Sequence, residues 1–168
     1  MRHVHSSRSR ADRGFTLMEM VIVAVVIGVI AAMAVPSFLS YMPKLKVKAA
    51  ARDITSQLRL ARSKAVAERR PYGVHFDMAS NSYVVFADTD NPAAMTFTVA
   101  DSTLRADTLE ADITLVSCTY MNGCVVFNST GAASTSGELK LVTGDGSILM
   151  SIHTLASTGR VRLSEVGS

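Results

Sequence analysis

The chain has 168 residues, a length that allows one modest domain with an attached segment and argues against two full domains. Apolar residues make up 48% of it and charged residues 18%, a balance that excludes a disordered chain. Tryptophan is absent and aromatic residues are only 6%, which argues against an aromatic-rich carbohydrate-binding or base-stacking surface. Two Cys and four His argue against a disulfide-dense scaffold and against a structural zinc cluster.

The net charge of +3 conceals a strong asymmetry along the chain. Residues 1–70 carry 13 Lys and Arg against 4 Asp and Glu, whereas residues 71–168 carry 4 against 10. The charges of the two segments are therefore +9 and −6. Such a split indicates that the two segments have different surroundings.

A long apolar stretch dominates the first segment. No charged or strongly polar side chain occurs from Met20 to Val35, and apolar residues continue on both sides of this run. A bilayer span needs about 20 residues at about 1.5 Å each. Residues 15–42 are therefore predicted to form a transmembrane helix. The alternative is a buried core helix, although such helices seldom run this far without a polar face.

Basic residues before the apolar stretch predict its orientation. Arginines that precede a span favour a cytoplasmic N-terminus, and three of them occur here: Arg8, Arg10 and Arg13. The chain after Tyr41 is then expected on the outer side of the membrane. Ala32 and Ala34 resemble a small-x-small cleavage site, so simple secretion with a cleaved signal is the alternative.

One carboxylate interrupts the apolar stretch. Glu19 lies at membrane depth, where a charged side chain is costly and is usually functional. No Lys or Arg follows it within one helical turn, so a cation at the same depth would have to come from another chain or from a newly made N-terminus. The alternative is a Glu near the interface that snorkels to water or stays protonated.

Residues 13–19, with the sequence Arg-Gly-Phe-Thr-Leu-Met-Glu, resemble the processing site of type IV prepilins and type II secretion pseudopilins. In that family a short basic leader ends in Gly, a membrane-embedded prepilin peptidase cuts after it, and the new N-terminal residue is methylated. The resemblance implies that residues 1–14 are a cleaved leader. It also implies that the cut falls between Gly14 and Phe15, and that Phe15 is N-methylated.

The same resemblance implies a role for Glu19 in assembly. The amine of Phe15 on one subunit can pair with Glu19 of its neighbour, and without that pairing a buried carboxylate would only be a penalty. The partners that the resemblance implies are the prepilin peptidase, inner-membrane lipid and other major and minor pilins or pseudopilins. Loss of the leader would also leave the mature chain with 13 basic and 13 acidic residues.

Residues 43–70 have the pattern of an amphipathic helix outside the membrane. Pro36 and Pro43 lie between the two helical stretches and favour kinks, and Pro71 ends the second stretch. Apolar residues recur at spacings near three and four: Leu45, Ala49, Ile54, Leu58, Ala61 and Ala65. Lys and Arg fill most of the rest. This basic face is either a solvated or headgroup-facing surface or, as an alternative, a nucleic-acid surface.

After Pro71 the apolar pattern changes to a period of two, which is typical of strands. Eight segments have it: Tyr72–Asp77, Ser82–Ala87, Met95–Val99, Ile113–Ser117, Val125–Asn128, Glu138–Thr143, Ser147–His153 and Gly159–Leu163. The range from Ala100 to Asp112 is the least regular and is predicted to be a loop. The helix is expected to pack on a mainly antiparallel sheet, so that residues 71–168 form a β-rich head and the fold class is α+β.

Five residues separate Cys118 and Cys124. If the head is exported, its compartment is oxidising, and a local disulfide between them is predicted. The alternative is a pair of buried thiols. A redox or metal role is disfavoured because the spacing is not C-x-x-C and no His clusters with it.

No catalytic motif stands out, so the chain is not predicted to be an enzyme, and no cofactor, metal or small-molecule substrate is expected. His75 and His153 lie on separate predicted strands. The run from Asp88 to Asn91 is similar to the start of a calcium loop, but Pro92 and the lack of a downstream Gly and Glu break that pattern.

The segment Ser157-Thr158-Gly159-Arg160-Val161-Arg162 is similar to the closing Gly-Arg-x-Arg segment of GspH/FimT-type minor pseudopilins. Some members of that group bind DNA in natural transformation, and the resemblance implies DNA contacts by Arg160 and Arg162. On a strand, both arginines point to one face and can contact phosphates. The alternative is a solvated or structural role, which the acidic composition of the surrounding head favours.

These patterns together predict a GspH/FimT-like pseudopilin that spans the inner membrane once, with a cytoplasmic N-terminus and a periplasmic head. It is expected to assemble into a type II secretion pseudopilus or a type IV pilus, with the filament tip as one option. The alternatives are a DNA-binding minor pilin and a secreted β-rich protein with a cleaved signal.

Overall fold

The computed structural model describes residues 15–166. These residues form one α-helix and eight β-strands, and Met121–Gly123 adds one turn of 3-10 helix. The bounds in chain order are α1 Leu17–Glu68, β1 Tyr72–Asp77, β2 Ser82–Ala87, β3 Ser102–Thr108, β4 Ile113–Cys118, β5 Cys124–Phe127, β6 Gly137–Thr143, β7 Leu149–Leu155 and β8 Arg160–Val166.

Helix α1 is 52 residues long and continues through Pro36 and Pro43. It ends where Arg69 adopts a left-handed conformation (φ 53°) two residues before Pro71, because a left-handed residue and a following Pro both stop helix propagation. The chain divides into two compact units, and the boundary lies between Ser40 and Tyr41. The second unit contains the later part of α1 and all eight strands.

The later part of α1 buries one apolar stripe in the head. The apolar members of this stripe are Val47, Ala51, Ile54, Leu58, Ala61 and Ala65, at alternating spacings of four and three residues. Two members of the predicted stripe are wrong, since Leu45 is 43% exposed and Ala49 is also exposed. The alternating spacing keeps the stripe on one helix face, and Val47 and Ala51 therefore replace them.

The strands form two four-stranded antiparallel sheets rather than one. The first sheet has the order β3-β2-β1-β5 and the second has the order β4-β6-β7-β8. The helix stripe and the inner faces of both sheets share one apolar core, to which β1 contributes Tyr72, Val74 and Phe76. The predicted α+β fold, with a long N-terminal helix packed on an antiparallel β-rich head, is confirmed.

Two predictions about strands are wrong. Met95–Val99 is not a strand: Met95 and Phe97 lie in a loop and pack on Phe86 of the first sheet. Conversely, β3 lies inside the range predicted to be a loop. It pairs with β2 through its backbone at the edge of the first sheet, and nearly all of its side chains are exposed, so it lacks an apolar alternation.

Asn81, in the turn between β1 and β2, joins the two sheets. Its side-chain amide donates to the carbonyl of Ile113 at 2.6 Å, and its side-chain oxygen accepts from the amide of Leu115 at 2.9 Å. Both contacts fall on β4, an edge strand of the second sheet. One side chain therefore occupies the place that a neighbouring strand would take along β4.

Candidate functional site

The start of α1 is defined by a capping interaction. The amide of Glu19 donates to the hydroxyl oxygen of Thr16 at 3.2 Å and to its carbonyl oxygen at 3.1 Å. A Thr at the N-cap with a Glu three residues later is the pattern of a capping box. Glu19 thus lies in the first turn of the helix, where the helix dipole favours a negative charge.

Part of the predicted processing site lies outside the residues that the structure describes. Gly14 and the rest of the predicted leader lie outside the described residues, whereas Phe15 and Glu19 lie inside them. The side chain of Phe15 is 74% exposed. Cleavage, methylation and the pairing of the Phe15 amine with Glu19 of another subunit stay predictions.

The first part of α1 presents an apolar surface that no other described residue covers. Every residue from Phe15 to Ser40 is exposed, and the first part of α1 is long and apolar enough to cross a bilayer. Soluble proteins rarely leave an apolar surface of this extent in contact with water. The segment is therefore suited to membrane anchoring and to contacts with other helices.

Strand β8 displays the two arginines of the C-terminal motif. Arg160 lies opposite Leu155 and Arg162 lies opposite His153 in the register with β7. Both arginines are exposed, whereas Val161 between them is 7% exposed and belongs to the core. Within residues 15–166 neither guanidinium has an ion-pair or hydrogen-bond partner. Two unpaired cations therefore stand side by side on the outer face of the second sheet.

The nearest carboxylate on that face is already occupied. Glu138 of β6 accepts a hydrogen bond from the hydroxyl of Ser151 at 2.6 Å and lies 3.4 Å from Lys140 and 3.5 Å from His153. The Ser151 hydroxyl first, and Lys140 second, lower the pKa of Glu138. The charge of Glu138 is thus compensated by its own neighbours, and it does not neutralise the arginines.

The turn before Arg160 packs against the helix. Nε of Arg62 donates to the carbonyl oxygen of Gly131 at 3.0 Å. Gly159 has a positive φ of 59°, and a Cβ atom there would overlap the Gly131 oxygen and lie 3.0 Å from Arg62 Nε. The amide of Gly159 also donates to the carbonyl oxygen of Leu155 at 2.8 Å. Only glycine fits this junction, which explains the Gly of the Gly-Arg-x-Arg segment.

Two of these features were missed in the sequence. The Thr-x-x-Glu spacing of Thr16 and Glu19 is a recognisable capping signal and could have been found. The contact between Arg62 and Gly131 joins residues 69 positions apart, and no local sequence pattern predicts it. Arg62 therefore looked like one more cation on a solvated helix face.

The predicted disulfide between Cys118 and Cys124 is wrong for this structure, in which both are free thiols. Cys118 ends β4 in the second sheet and packs on the main core. Cys124 begins β5 in the first sheet and packs with Phe86 and Val126 in a separate cluster. Their side chains thus face different clusters. Burial raises the pKa of both thiols, that of Cys124 to about 12, so neither is a reactive thiolate at neutral pH.

The loop after β2 is organised by a buried carboxylate. Asp101 is 7% exposed and accepts hydrogen bonds from the amides of Thr89 at 2.9 Å and Thr98 at 2.8 Å. Asp88 is 2% exposed, and neither of its carboxylate oxygens has a hydrogen-bond partner among the described residues. In the part of the chain that the structure describes, no group of three or more His, Cys, Asp or Glu side chains could hold a metal ion.

Two family profiles match the chain. Residues 9–35 match the prokaryotic N-terminal methylation motif. Residues 50–167, more than half of the chain, match the type II transport protein GspH. The chain belongs to the GspH family. The methylation motif of this GspH-family chain covers the predicted cleavage site and most of the exposed apolar segment, and the GspH match covers the later part of α1 and the head.

Solved structures with the same fold are minor subunits. The minor pseudopilin EpsH from the type 2 secretion system of Vibrio cholerae aligns with a TM-score of 0.57 at 15% identity, over 73% of this chain and 99% of that one. The type IV minor pilin FimU of Pseudomonas aeruginosa aligns with a TM-score of 0.56 at 19% identity, over 76% and 98%. No curated protein is a significant match to this chain.

Proposed function

We propose that this GspH-family chain is a minor subunit of a type II secretion pseudopilus or a type IV pilus, and that its activity is assembly rather than catalysis. A prepilin peptidase cuts between Gly14 and Phe15, and Phe15 becomes the methylated N-terminus. The chain spans the inner membrane once, with its head in the periplasm, before it joins other pilins. Because its structural relatives are minor subunits, the proposal includes a position at or near the filament tip.

The observation that carries this proposal is the exposed apolar segment with a carboxylate in its first turn. Lipid can cover this segment before assembly, and the apolar segments of other subunits can cover it afterwards. Glu19 is then the only residue from Leu17 to Val35 that carries a full charge. The α-amine that cleavage creates on Phe15 supplies the counter-charge at the same depth, from a neighbouring subunit.

Processing is tested by the residue before the cut. Gly14→Leu places a long side chain beside the scissile bond, and we expect the full-length precursor to remain in the membrane. Gly14→Ala, with a small side chain, is the matched control and should still be cut. Mass spectrometry of the N-terminal peptide measures both. Normal trimming of the Leu variant, or a mature N-terminus after Ala34, would refute the proposal and favour a secreted protein.

A second function is favoured by the unpaired arginines of β8. We propose that Arg160 and Arg162 contact DNA through its phosphates, which makes binding independent of sequence and weaker with added salt. Two to four phosphate contacts correspond to a slope of roughly −2 to −4 for log affinity against log salt concentration.

This second function is tested with the mature chain, residues 15–168, in neutral detergent and a fluorescent DNA duplex. Replacing both Arg160 and Arg162 with Gln should abolish binding and leave the melting temperature close to the wild-type value. The control variant replaces Lys46 and Lys48 with Gln, since these cations are already ion-paired to carboxylates of the head. Equal losses in both variants, or a large loss of stability in the arginine variant, would contradict a specific role for the motif.

A further inference from the structure

We infer that helix α1 contributes Arg59 and Arg62 to the same phosphate-binding surface as Arg160 and Arg162. The DNA contact then extends from β8 onto the helix. This inference rests on the DNA contact proposed above and adds to it residues that lie about 100 positions earlier in the chain, outside the C-terminal motif.

The junction around Gly159 brings the helix and the strand together. Arg62 donates through Nε to Gly131 at 3.0 Å, and a Cβ atom at Gly159 would lie 3.0 Å from the same nitrogen. Gly159 directly precedes Arg160, the first residue of β8. Arg62 therefore packs against the residue that directly precedes Arg160 in the chain.

The guanidinium of Arg62 is fixed at one end and available at the other. Its Nε–H bonds to the Gly131 carbonyl, and within residues 15–166 its two terminal amino groups have no acceptor. Arg59, one helical turn earlier, is exposed and has no partner among these residues either. The two arginines line a shallow groove of about 440 Å³ together with Ser63, Val66 and Ala67. An arginine whose fork is held in place loses less entropy when it binds a phosphate.

Three chain segments meet at this junction. None of them contains a carboxylate, and the acidic residues just beyond their ends, Glu68, Glu138 and Glu165, are each ion-paired to a Lys or Arg. The three segments are residues 59–67 of α1, residues 128–136 after β5, and residues 154–164 around the β7–β8 turn. The head beyond Pro71 carries ten acidic residues, but all of them lie outside these segments. The acidic composition of the head therefore does not cancel the positive charge of this face.

The cations several turns earlier on α1 behave differently. Three lysines there are ion-paired to head carboxylates at 2.7–3.3 Å, and their positions are Lys44, Lys46 and Lys48. Only the arginines farther along α1 keep their charge uncompensated by described residues. A charged ligand would therefore be attracted to the later end of the helix and to β8.

A nucleic-acid backbone fits this surface better than nucleic-acid bases do. The three segments contain no Phe, Tyr, Trp or His, and the imidazole of the neighbouring His153, opposite Arg162, lies 3.5 Å from Glu138. These segments therefore offer little platform on which a base could stack. They offer planar guanidinium groups, which match phosphate oxygens in a bidentate geometry. The ligand that this surface takes is a phosphodiester backbone, bound without sequence preference.

The test compares two arginines of the same helix. In the mature chain, residues 15–168, in neutral detergent, Arg59→Gln should weaken binding of a mixed-sequence DNA duplex about threefold to tenfold and reduce the salt slope by about 0.9, the loss of one phosphate contact. Arg52→Gln is the matched control, because Arg52 is also exposed and unpaired among described residues but lies outside the acid-free segments. It should leave the salt slope unchanged.

A second variant separates geometry from net charge. Arg62→Lys keeps the positive charge but removes the Nε–H that bonds to Gly131. It should weaken DNA binding although the charge is the same, since the remaining cation is no longer held at the junction. Unchanged affinity in Arg62→Lys would show that only net charge matters and would overturn the inference.

The outcomes distinguish this inference from the DNA contact on which it rests. If replacing Arg160 and Arg162 abolishes binding but Arg59→Gln behaves like Arg52→Gln, the helix has no part in the site and only this inference fails. If the wild-type chain binds no DNA at low salt, both proposals fail. If phosphatidylglycerol vesicles compete with the duplex at equal phosphate concentration, the surface faces lipid headgroups, and the assignment to nucleic acid is wrong.

Discussion

Glu19 takes part in two interactions that different substitutions can separate. Its backbone amide is capped by Thr16, whereas its side chain supplies the negative charge that the proposed pairing with the Phe15 amine requires. Glu19→Gln preserves the length and the capped amide but removes the charge. We expect this variant to be inserted and cleaved, yet to enter filaments at least about tenfold less, because an uncompensated charge in low dielectric costs several kcal/mol.

The readout is the amount of the variant in sheared or affinity-isolated filaments relative to the membrane fraction. Thr16→Ala is the control, because it removes the cap, at about 1 kcal/mol, and leaves the charge in place. It should assemble close to normally. Full incorporation of Glu19→Gln would refute the pairing argument, and equal losses in both variants would assign the effect to the helix start.

Single residues differ in how visible they are from the sequence. Glu19 stands out because a carboxylate in an apolar run is costly, and Arg160 and Arg162 stand out because they share one face of a strand. Arg62 does not stand out, since its role depends on a carbonyl that reaches it only after the sheets have formed. The cysteines were misleading for a related reason: a short spacing says nothing about which cluster each side chain faces.

Among the elements, the side chain of the turn residue Asn81 forms hydrogen bonds from the first sheet to the second, and their contribution to stability can be measured. Asn81→Ala removes both side-chain hydrogen bonds to β4, at Ile113 and Leu115, and places Ala at a positive φ of 52°. The unpaired groups lie beside buried side chains, so we expect a loss of about 2–4 kcal/mol in the free energy of unfolding. Thermal or urea unfolding in detergent measures it.

Asn81→Gly separates the two contributions. Glycine adopts the positive φ without strain but cannot bond to β4. It should therefore be destabilised by the hydrogen-bond contribution alone, on the order of 1–3 kcal/mol. Wild-type stability of the Gly variant would show that the bonds across the sheets contribute nothing and that only backbone strain matters at this position.

The strands that bury one face were predictable, and the exposed edge strand was not. β1 and β2 have the predicted bounds because their side chains alternate between the core and the outer face. β3 is held by backbone pairing to β2, and backbone pairing does not require an alternation of apolar and polar side chains. Met95 and Phe97 have the alternation of a strand because they cover an outer sheet face from a loop.

On the scale of the whole molecule, the pKa values of two carboxyl groups, Glu68 and Asp88, are shifted in opposite directions. A hydrogen bond from the Tyr72 hydroxyl, supported by Lys64, lowers the pKa of Glu68 to about 2. Burial, together with the nearby Asp101 carboxylate, raises the pKa of Asp88 above its ordinary value of 3.8. Glu68 therefore stabilises the fold above its unfolded pKa and loses that effect as the pH falls toward 2. Asp88 does the reverse, and its contribution is lost as the pH rises through its folded pKa.

Asp88→Asn should remove the loss on the alkaline side. No described residue forms a hydrogen bond of ordinary geometry with either oxygen of Asp88, and the nearby Asn91 amide offsets burial only in part. Ionisation of the buried carboxyl is therefore poorly compensated in the wild-type chain at pH 8, whereas an amide stays neutral. We expect the melting temperature of the Asn variant to exceed that of the wild type by several degrees at pH 8, since about 1 kcal/mol shifts it by about 2–4 °C in a domain of this size. At pH 4 the difference should shrink or change sign. Tyrosine fluorescence during heating measures both. A difference between Asp88→Asn and wild type that is the same at pH 4 and pH 8 would show that Asp88 does not ionise in this range and would contradict the argument.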